Sequence, residues 1–307
     1  SRRRHTRYIS VTGVQTCALP ISSWPEALAV AAAGLSVNHA AVLVGGRATA
    51  EDAYGYSKFA RVALKTNDID FRARPHSEEE RSFLSSVVVG SSVTYSAIDK
   101  ADHVVLLGFE AEEESPIVFL RLFKQVRKRS MKVTAVAPFT TRANQKLKAQ
   151  VIKTTAGNEA NEIINIAGLT NKSVILVGER LAESQGALSA AMKIAQSSGA
   201  HLAWIPRRAG ERGALEAGAI GTLLPGGRPV TDSAARVDIQ SAWGVSSLPT
   251  TVGHSTSEIL DALHTGDIDS LLIGGVDPLD ISRDAAKGLE KAFVVSLEIR
   301  KSQITEL

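Results

Sequence analysis

The chain has 307 residues, of which 44% are hydrophobic and 22% charged, with a single cysteine. This composition is that of an ordinary folded protein and excludes a disordered or fibrous chain, and the length suffices for two modest domains. One cysteine excludes a disulfide framework and a cysteine-ligated metal cluster within the chain. No run of 18 apolar residues occurs that could span a bilayer as a helix.

The formal net charge of +3 comes from the start of the chain. Residues 1–22 contain four arginines and no acid, and without those four charges the +3 becomes −1 for residues 23–307. The body of the chain is therefore nearly neutral, and a nucleic-acid-binding surface is not indicated.

The first 22 residues do not read as part of a fold. The arginine-rich start and mildly apolar continuation are weakly typical of an export signal, but Thr12 and Gln15 interrupt the apolar stretch and no small-x-small cleavage site follows. The run VTGVQTCALPI, from Val11 to Ile21, resembles the in-frame translation of a sequencing adapter. We therefore expect residues 1–22, including Cys17, to be an artefact without a fold.

Helices and strands alternate along the remainder. Ser23 and Glu26 form a capping box, which predicts a helix to Leu35, and the apolar run from Ala40 to Gly46 predicts a buried strand. Further helices are predicted over Thr49–Leu64, 77–90, from Ser115 onward, Ser184–Ser198, Ser255–His264 and Arg283–Ala292. Further strands are predicted at Ile69–Phe71, His103–Phe109, Met131–Pro138, Ser173–Glu179, His201–Pro206, Ser270–Gly275 and Phe293–Ile299. This alternation predicts an α/β fold with mainly parallel sheets.

The common catalytic motifs are absent: the sequence holds no G-x-G-x-x-G, G-x-x-x-x-G-K-[ST], G-x-S-x-G, H-E-x-x-H or C-x-x-C. His254 and Ser255 resemble a nucleophile pair, but Ser255 and Glu258 also form a capping box, so a helix start is the stronger interpretation. We predict no catalytic residue and no metal ligand in this chain.

Candidate cofactor-binding residues follow two buried strands. Gly178 with Glu179, and Gly274 and Gly275 with Asp277, stand where a ligand could approach the backbone and where a carboxylate could accept a hydrogen bond from ribose or guanine. Tight strand-to-helix turns explain the glycines equally well.

Two charged segments leave alternatives open. The acidic turn Glu110–Ser115 stands where a phosphate would meet a helix N-terminus, and its carboxylates either match the helix dipole or hold a metal; neither interpretation favours a bound phosphate. The basic run Arg207–Arg212 could bind an anion or pair with surface acids.

Four long segments carry a family resemblance. GGRATAEDAYGYSKFARVALKTNDIDFRARPH, ADHVVLLGFEAEEESPIVFLRLFKQVRKRSMKVTAVAPFTTR, GERGALEAGAIGTLLPGGRPV and IDSLLIGGVDPLD resemble segments of molybdopterin oxidoreductases, and within them the branch that serves as the large iron–sulfur subunit of actinobacterial NADH:quinone oxidoreductase (complex I). The resemblance covers nearly all of residues 23–307. It implies two Rossmann-like lobes: a discontinuous one from 23–74 plus 168–307, and an inserted one from 75–167.

The resemblance also implies that the cofactor site has degenerated. In active relatives a cysteine, selenocysteine or serine holds molybdenum just after a G-T-N-x-x-D turn, where this chain has Arg74-Pro75-His76, with Ser77 nearby. The relatives' Asn-Pro turn is replaced by Phe109-Glu110-Ala111, and their Asp-Pro-Arg by Ala137-Pro138-Phe139. Molybdopterin is therefore expected to be lost.

The function implied is a scaffold part of that iron–sulfur subunit, supporting electron transfer from NADH to quinone. Iron–sulfur clusters are expected in a cysteine-rich N-terminal region outside this chain, other peripheral-arm subunits as partners, and the cytoplasmic side of the plasma membrane as the location. Two alternatives are an active molybdenum or tungsten oxidoreductase, such as a formate dehydrogenase relative, and an unrelated nucleotide-binding protein that uses the Gly178 or Gly274 turns.

Overall fold

A computed structural model describes residues 22–36, 39–72, 74–299 and 302–306. Residues 1–22 are those expected to be an artefact, and all of them except Ser22 lie outside the described residues. The strands are β1 Ala40–Val44, β2 Ile69–Asp70, β3 His103–Leu107, β4 Lys132–Ala137, β5 Gln150–Lys153, β6 Ser173–Gly178, β7 His201–Ile205, β8 Leu223–Leu224, β9 Arg228–Pro229, β10 Ser270–Gly274 and β11 Phe293–Leu297.

The α-helices cover the segments between the strands. They are α1 Trp24–Leu35, α2 Ala50–Val62, α3 Glu78–Phe83, α4 Tyr95–Lys100, α5 Ala111–Glu114, α6 Pro116–Arg129, α7 Arg142–Lys146, α8 Glu159–Ile163, α9 Ala187–Ser198, α10 Glu211–Glu216, α11 Ser233–Trp243, α12 Thr256–Thr265 and α13 Ala285–Leu289. A π-helical turn, Leu84–Val88, continues α3. Among the described residues, we find no helix with the length and apolar character needed to cross a membrane.

Two parallel sheets form the framework. One has the order β11-β10-β1-β2 and the other the order β5-β4-β3-β6-β7, and every neighbouring pair in both is parallel. Among the strands of the described residues, only β8 and β9 pair in the antiparallel direction. The predicted α/β class with mainly parallel sheets is confirmed.

The strand pairing shows how the later part of the chain is shared between the two sheets. The family resemblance joins residues 168–307 to residues 23–74, but β6 pairs with β3 and β7 pairs with β6, so residues 173–205 extend the five-stranded sheet instead. Their apolar runs are fully or largely buried, which is what a strand inside a two-sided parallel sheet requires. Later in the chain, β10 pairs with β1 and β11 pairs with β10, so these two strands complete the four-stranded sheet.

One hydrophobic cluster holds the two sheets together. Val42 and Val44 of β1 share it with Val105 and Leu107 of β3. The chain that leaves β2 enters this region, because Phe71 belongs to the same cluster and is fully buried. Phe71 thus lies where the sheets meet, just before Arg74-Pro75-His76, the neighbourhood in which the resemblance places the relatives' metal ligand.

A buried arginine ties α2 to the loop before β8. Arg61 is fully buried and donates to the carbonyl oxygens of Gly218, Ile220 and Leu223, at 2.8, 3.1 and 2.7 Å, and to Asn67 Oδ1 at 2.9 Å. Burial lowers the pKa of its guanidinium to about 10, which still leaves the group charged at neutral pH. Without the guanidinium each of these acceptors would lose a donor, although the Gly218 carbonyl would keep the Ser57 hydroxyl and the Ile220 carbonyl the Leu223 N–H.

We predict that Arg61→Met destabilises the intact polypeptide by about 3 kcal/mol, because several buried carbonyl groups would lose their donor. Urea unfolding followed by circular dichroism measures the change. Arg283→Met removes an exposed arginine and is the matched control, expected to change the unfolding free energy by less than about 0.5 kcal/mol. Equal losses in the two variants would contradict the role given to Arg61.

Candidate functional site

A single guanidinium lies between three carboxylates at the meeting point of the sheets. Arg72, two residues beyond β2, donates to Glu179 at 2.6 Å, to Glu211 at 2.9 Å and to Glu80 at 3.0 Å. The Arg72 side chain is 0% exposed, and those of the three glutamates at most 5%. Arg74, which is 30% exposed, also reaches Glu80 at 2.7 Å. We call Arg72 and its three glutamates the Arg72 cluster.

Burial and charge act against each other in the Arg72 cluster. Burial lowers the pKa of Arg72, but the surrounding carboxylates outweigh it and raise the pKa overall. For Glu179, burial acts in the opposite direction and raises the pKa. The charge of Arg72 and its hydrogen bond outweigh burial and hold the pKa of Glu179 below its ordinary value. For Glu211, burial and the nearby Glu179 charge prevail, and the pKa is raised. The Arg72 charge therefore opposes the effect of burial at both glutamates and outweighs it at Glu179 alone.

His76, in the neighbourhood where the resemblance places the relatives' metal ligand, has a carboxylate partner of its own. Its Nε2 lies 2.8 Å from Asp70 Oδ2, and its side chain is 1% exposed. The same oxygen accepts from the backbone N–H of Thr256 at 2.7 Å and from the Thr256 hydroxyl at 2.9 Å. Burial lowers the pKa of His76, but the hydrogen bond and charge of Asp70 raise it above its ordinary value. The neighbouring Ser77 is the N-cap of α3, accepting from the Glu80 N–H.

The first pair of predicted cofactor residues faces the protein's own atoms. Gly178 is fully embedded: a Cβ atom there would lie 2.4 Å from the Gly108 carbonyl oxygen. Glu179 is a member of the Arg72 cluster, so its carboxylate is engaged by a guanidinium rather than facing open space. The close approach at Gly178 is thus made by the backbone of the turn that follows β3.

Gly274 and Gly275, of the second group, line a cavity of about 750 Å³ at the carboxyl ends of β1, β10 and β11. Gly274 is covered by Tyr56, whose hydroxyl would lie 2.0 Å from a Cβ at this position. Gly275 has a φ of +66°, which only glycine adopts readily. Asp277 accepts from the Leu279 N–H at 3.0 Å and caps a short 3₁₀ turn. Glycine is thus required at position 274 by the Tyr56 hydroxyl and at position 275 by the backbone conformation of the turn.

The two charged segments meet each other. Glu114 of the acidic turn lies 2.6 Å from Arg180 and 3.8 Å from Arg207, and Glu112 pairs with Lys146. Arg208 and Arg212 pair with acids of α10, Glu211 and Glu216. No group of three His, Cys, Asp or Glu side chains in the described part of the chain is placed to hold a metal ion. The expected capping box at Ser255 is present, and His254 pairs with Asp68.

These residues do not fit a molybdopterin. The segment after the G-T-N-x-x-D-like turn offers His76 and Ser77, one bound to Asp70 and the other capping a helix. Bringing a pterin diphosphate near the Arg72 cluster would place it beside buried carboxylates, which repel it. We therefore derive no chemistry through this cofactor.

The sequence does not reveal the Arg72 cluster. It marks Glu179 as a possible ligand contact because this residue follows a predicted strand, and it treats Glu211 only as one of the surface acids near the basic run. The available signal is the RARPH run, which begins at Arg72. It places charged residues directly after a predicted strand.

The chain belongs to the molybdopterin oxidoreductase family, whose profile matches residues 20–302. It is 49% identical over 303 residues to the G subunit of the NADH-quinone oxidoreductase of Mycobacterium tuberculosis, covering 94% of this chain and 38% of that protein. The protein of the same name from Streptomyces coelicolor is 46% identical over 321 residues, covering 93% and 38%. An F420-dependent formate dehydrogenase subunit alpha from Methanocaldococcus jannaschii is 30% identical over 151 residues, covering 47% and 22%. The chain thus spans 38% of the length of the first two relatives.

We predict that Arg72→Leu destabilises the intact polypeptide by about 3–5 kcal/mol, because three buried carboxylates lose their shared counter-ion. Arg228→Leu is the control: Arg228 pairs with one exposed acid, Asp238, and surface pairs contribute about 0–1 kcal/mol. Urea unfolding measures both. A loss at Arg72 no larger than at Arg228 would show that the cluster does not stabilise the fold.

The His76–Asp70 pair predicts a pH-dependent stability. The pKa of His76 is raised above the 6.5 of a free histidine, so its contribution is complete below about pH 6.5 and declines as the pH rises through the raised value. The unfolding free energy lost in His76→Gln is therefore expected to be larger at about pH 5.5 than at about pH 8.5. His264→Gln, at an exposed site, is the control. A loss independent of pH would contradict the pairing.

Proposed function

We propose that this chain is a non-catalytic, structural portion of the large iron–sulfur subunit of an NADH:quinone oxidoreductase, built on a molybdopterin oxidoreductase fold whose cofactor site has degenerated. The observation that carries the proposal is the Arg72 cluster, which packs four charged side chains against each other beside the former metal-ligand segment. The identity of 49% and 46% with the G subunits of two NADH-quinone oxidoreductases supports the assignment.

The degeneration follows from how the segment after β2 is used. His76 and Asp70 fix β2 to the start of α12 through Thr256, and Arg72 fixes it to α3, to the turn after β6 and to α10. A segment that binds metal must leave its ligand side chain free, whereas the charged groups of this one are engaged in contacts between elements. On this proposal the former site stabilises the fold. The positions Gly178, Glu179, Gly274, Gly275 and Asp277 are vestiges of cofactor binding.

The rest of the proposal follows from the role of such a subunit. Electron transfer from NADH to quinone would run through iron–sulfur clusters held outside this chain. Its partners would be other peripheral-arm subunits, and it would meet the membrane only through the complex, on the cytoplasmic side. Each sheet with its helices forms a lobe, with the inserted lobe extended to include β6 and β7.

The direct test is the molybdenum and tungsten content of the intact subunit purified from its host, by elemental mass spectrometry. We expect far less than one metal atom per chain, because neither His76 nor Ser77 is free to serve as a ligand. A molybdenum enzyme purified from the same cells controls for metal supply.

Near-stoichiometric molybdenum or tungsten would contradict the proposal and favour the second candidate, an active oxidoreductase, which the 30% identity with a formate dehydrogenase subunit over 47% of the chain supports. We expect the purified subunit to retain iron and to contain neither molybdenum nor tungsten. We also expect it to purify together with other subunits of the complex.

A further inference from the structure

Glu114 bridges two arginines that come from different parts of the inserted lobe. Its Oε1 accepts from Arg180 Nη2 at 2.6 Å and from the backbone N–H of Glu110 at 3.0 Å. Its Oε2 lies 3.8 Å from Arg207 Nε and accepts no hydrogen bond from the described residues. The Glu114 side chain is only 12% exposed, so the carboxylate has exchanged most of its water for these two guanidinium groups.

A cavity of about 660 Å³ opens beside this carboxylate. Its lining includes Glu114 and Ser115 together with Arg207, Arg208 and Arg212, and the rings of Tyr95 and Trp204. Arg208 and Arg212 have acids of α10 as partners, Glu211 and Glu216. In the ion pairs of the described residues, the one acid that meets Arg180 and Arg207 is Glu114.

We propose that Glu114 is a built-in anion that occupies a two-arginine anion site and keeps external anions out of the cavity. Guanidinium groups bind carboxylate and phosphate oxygens alike, so a site that holds the one will accept the other once it is vacated. Arg207 and Glu114 line the cavity, whereas Arg180 holds the same carboxylate without lining it. Two guanidinium groups on one carboxylate, with open volume beside one of them, suit an anion with several oxygens, such as a diphosphate. The site is closed because its ligand is part of the chain.

The other acids of the turn do not share this role. Glu112 pairs with Lys146, and Glu113 is exposed. The inference goes beyond the proposed function and does not depend on it: metal content tests one, and anion binding tests the other.

Isothermal titration of the intact polypeptide with inorganic pyrophosphate tests the proposal. Glu114→Gln removes the internal charge and is expected to bind pyrophosphate at least about tenfold more tightly than the wild type. Glu113→Gln changes the net charge equally but leaves both arginines paired, so it should behave as the wild type. Adding Arg180→Gln to Glu114→Gln should abolish the gain. An unchanged affinity in Glu114→Gln, or an equal gain in Glu113→Gln, would overturn the proposal.

A second variant covers the case in which Glu114→Gln does not fold, which circular dichroism would reveal. Glu114→Asp keeps the charge but shortens the side chain by one methylene, which weakens its hold on Arg180. Its affinity for pyrophosphate is expected to exceed that of the wild type, and to fall again when Arg180→Gln is added. Wild-type affinity in a folded Glu114→Asp variant would equally overturn the proposal.

Discussion

The burial of one guanidinium among three carboxylates is the constraint on which the rest of this structure depends. Arg72 follows β2 of the four-stranded sheet, Glu179 follows β6 of the five-stranded sheet, and Glu80 and Glu211 lie in short helices between them. Removing such charges from water is costly, and only close contact with opposite charges offsets the cost. The two sheets must therefore meet with these atoms in register, or leave ions buried without partners.

This constraint links the fold to the proposed loss of catalysis. The resemblance implies that active relatives present a metal ligand in the segment after β2. Here, the corresponding surfaces are covered from within: Arg72 engages Glu179, Tyr56 covers Gly274, and Glu114 occupies a pair of arginines. A scaffold needs these surfaces to be closed, because an open polar cleft without its ligand would lose stability and collect adventitious anions.

Much of the fold could be predicted because its information is local. The buried strands read as short apolar runs, and the capping boxes at Ser23 and Ser255 both begin helices as expected. The short helices and strands between residues 142 and 163 escape prediction, because segments of four or five residues carry too little periodicity. The expected boundary at residue 168 stays a prediction, because strand order is set by pairing across the sheet, which local pattern does not encode.

The site could be predicted only in part, for the same reason. Their position at the ends of predicted strands singles out Gly178 and Gly274, but it does not reveal that the atoms lying against them belong to Gly108 and Tyr56. The partners Arg72 and Glu179 are 107 residues apart, and Arg72 and Glu211 are 139 apart. A single sequence gives no means of matching one buried charge to another at such separations.

The most direct test of the central claim is a cryo-electron microscopy map of the assembled complex that contains this subunit. The account predicts continuous side-chain density joining Arg72 to Glu179, Glu211 and Glu80, with His76 against Asp70. Density for a pterin or a metal between the two sheets, with Arg72 separated from those glutamates, would contradict it.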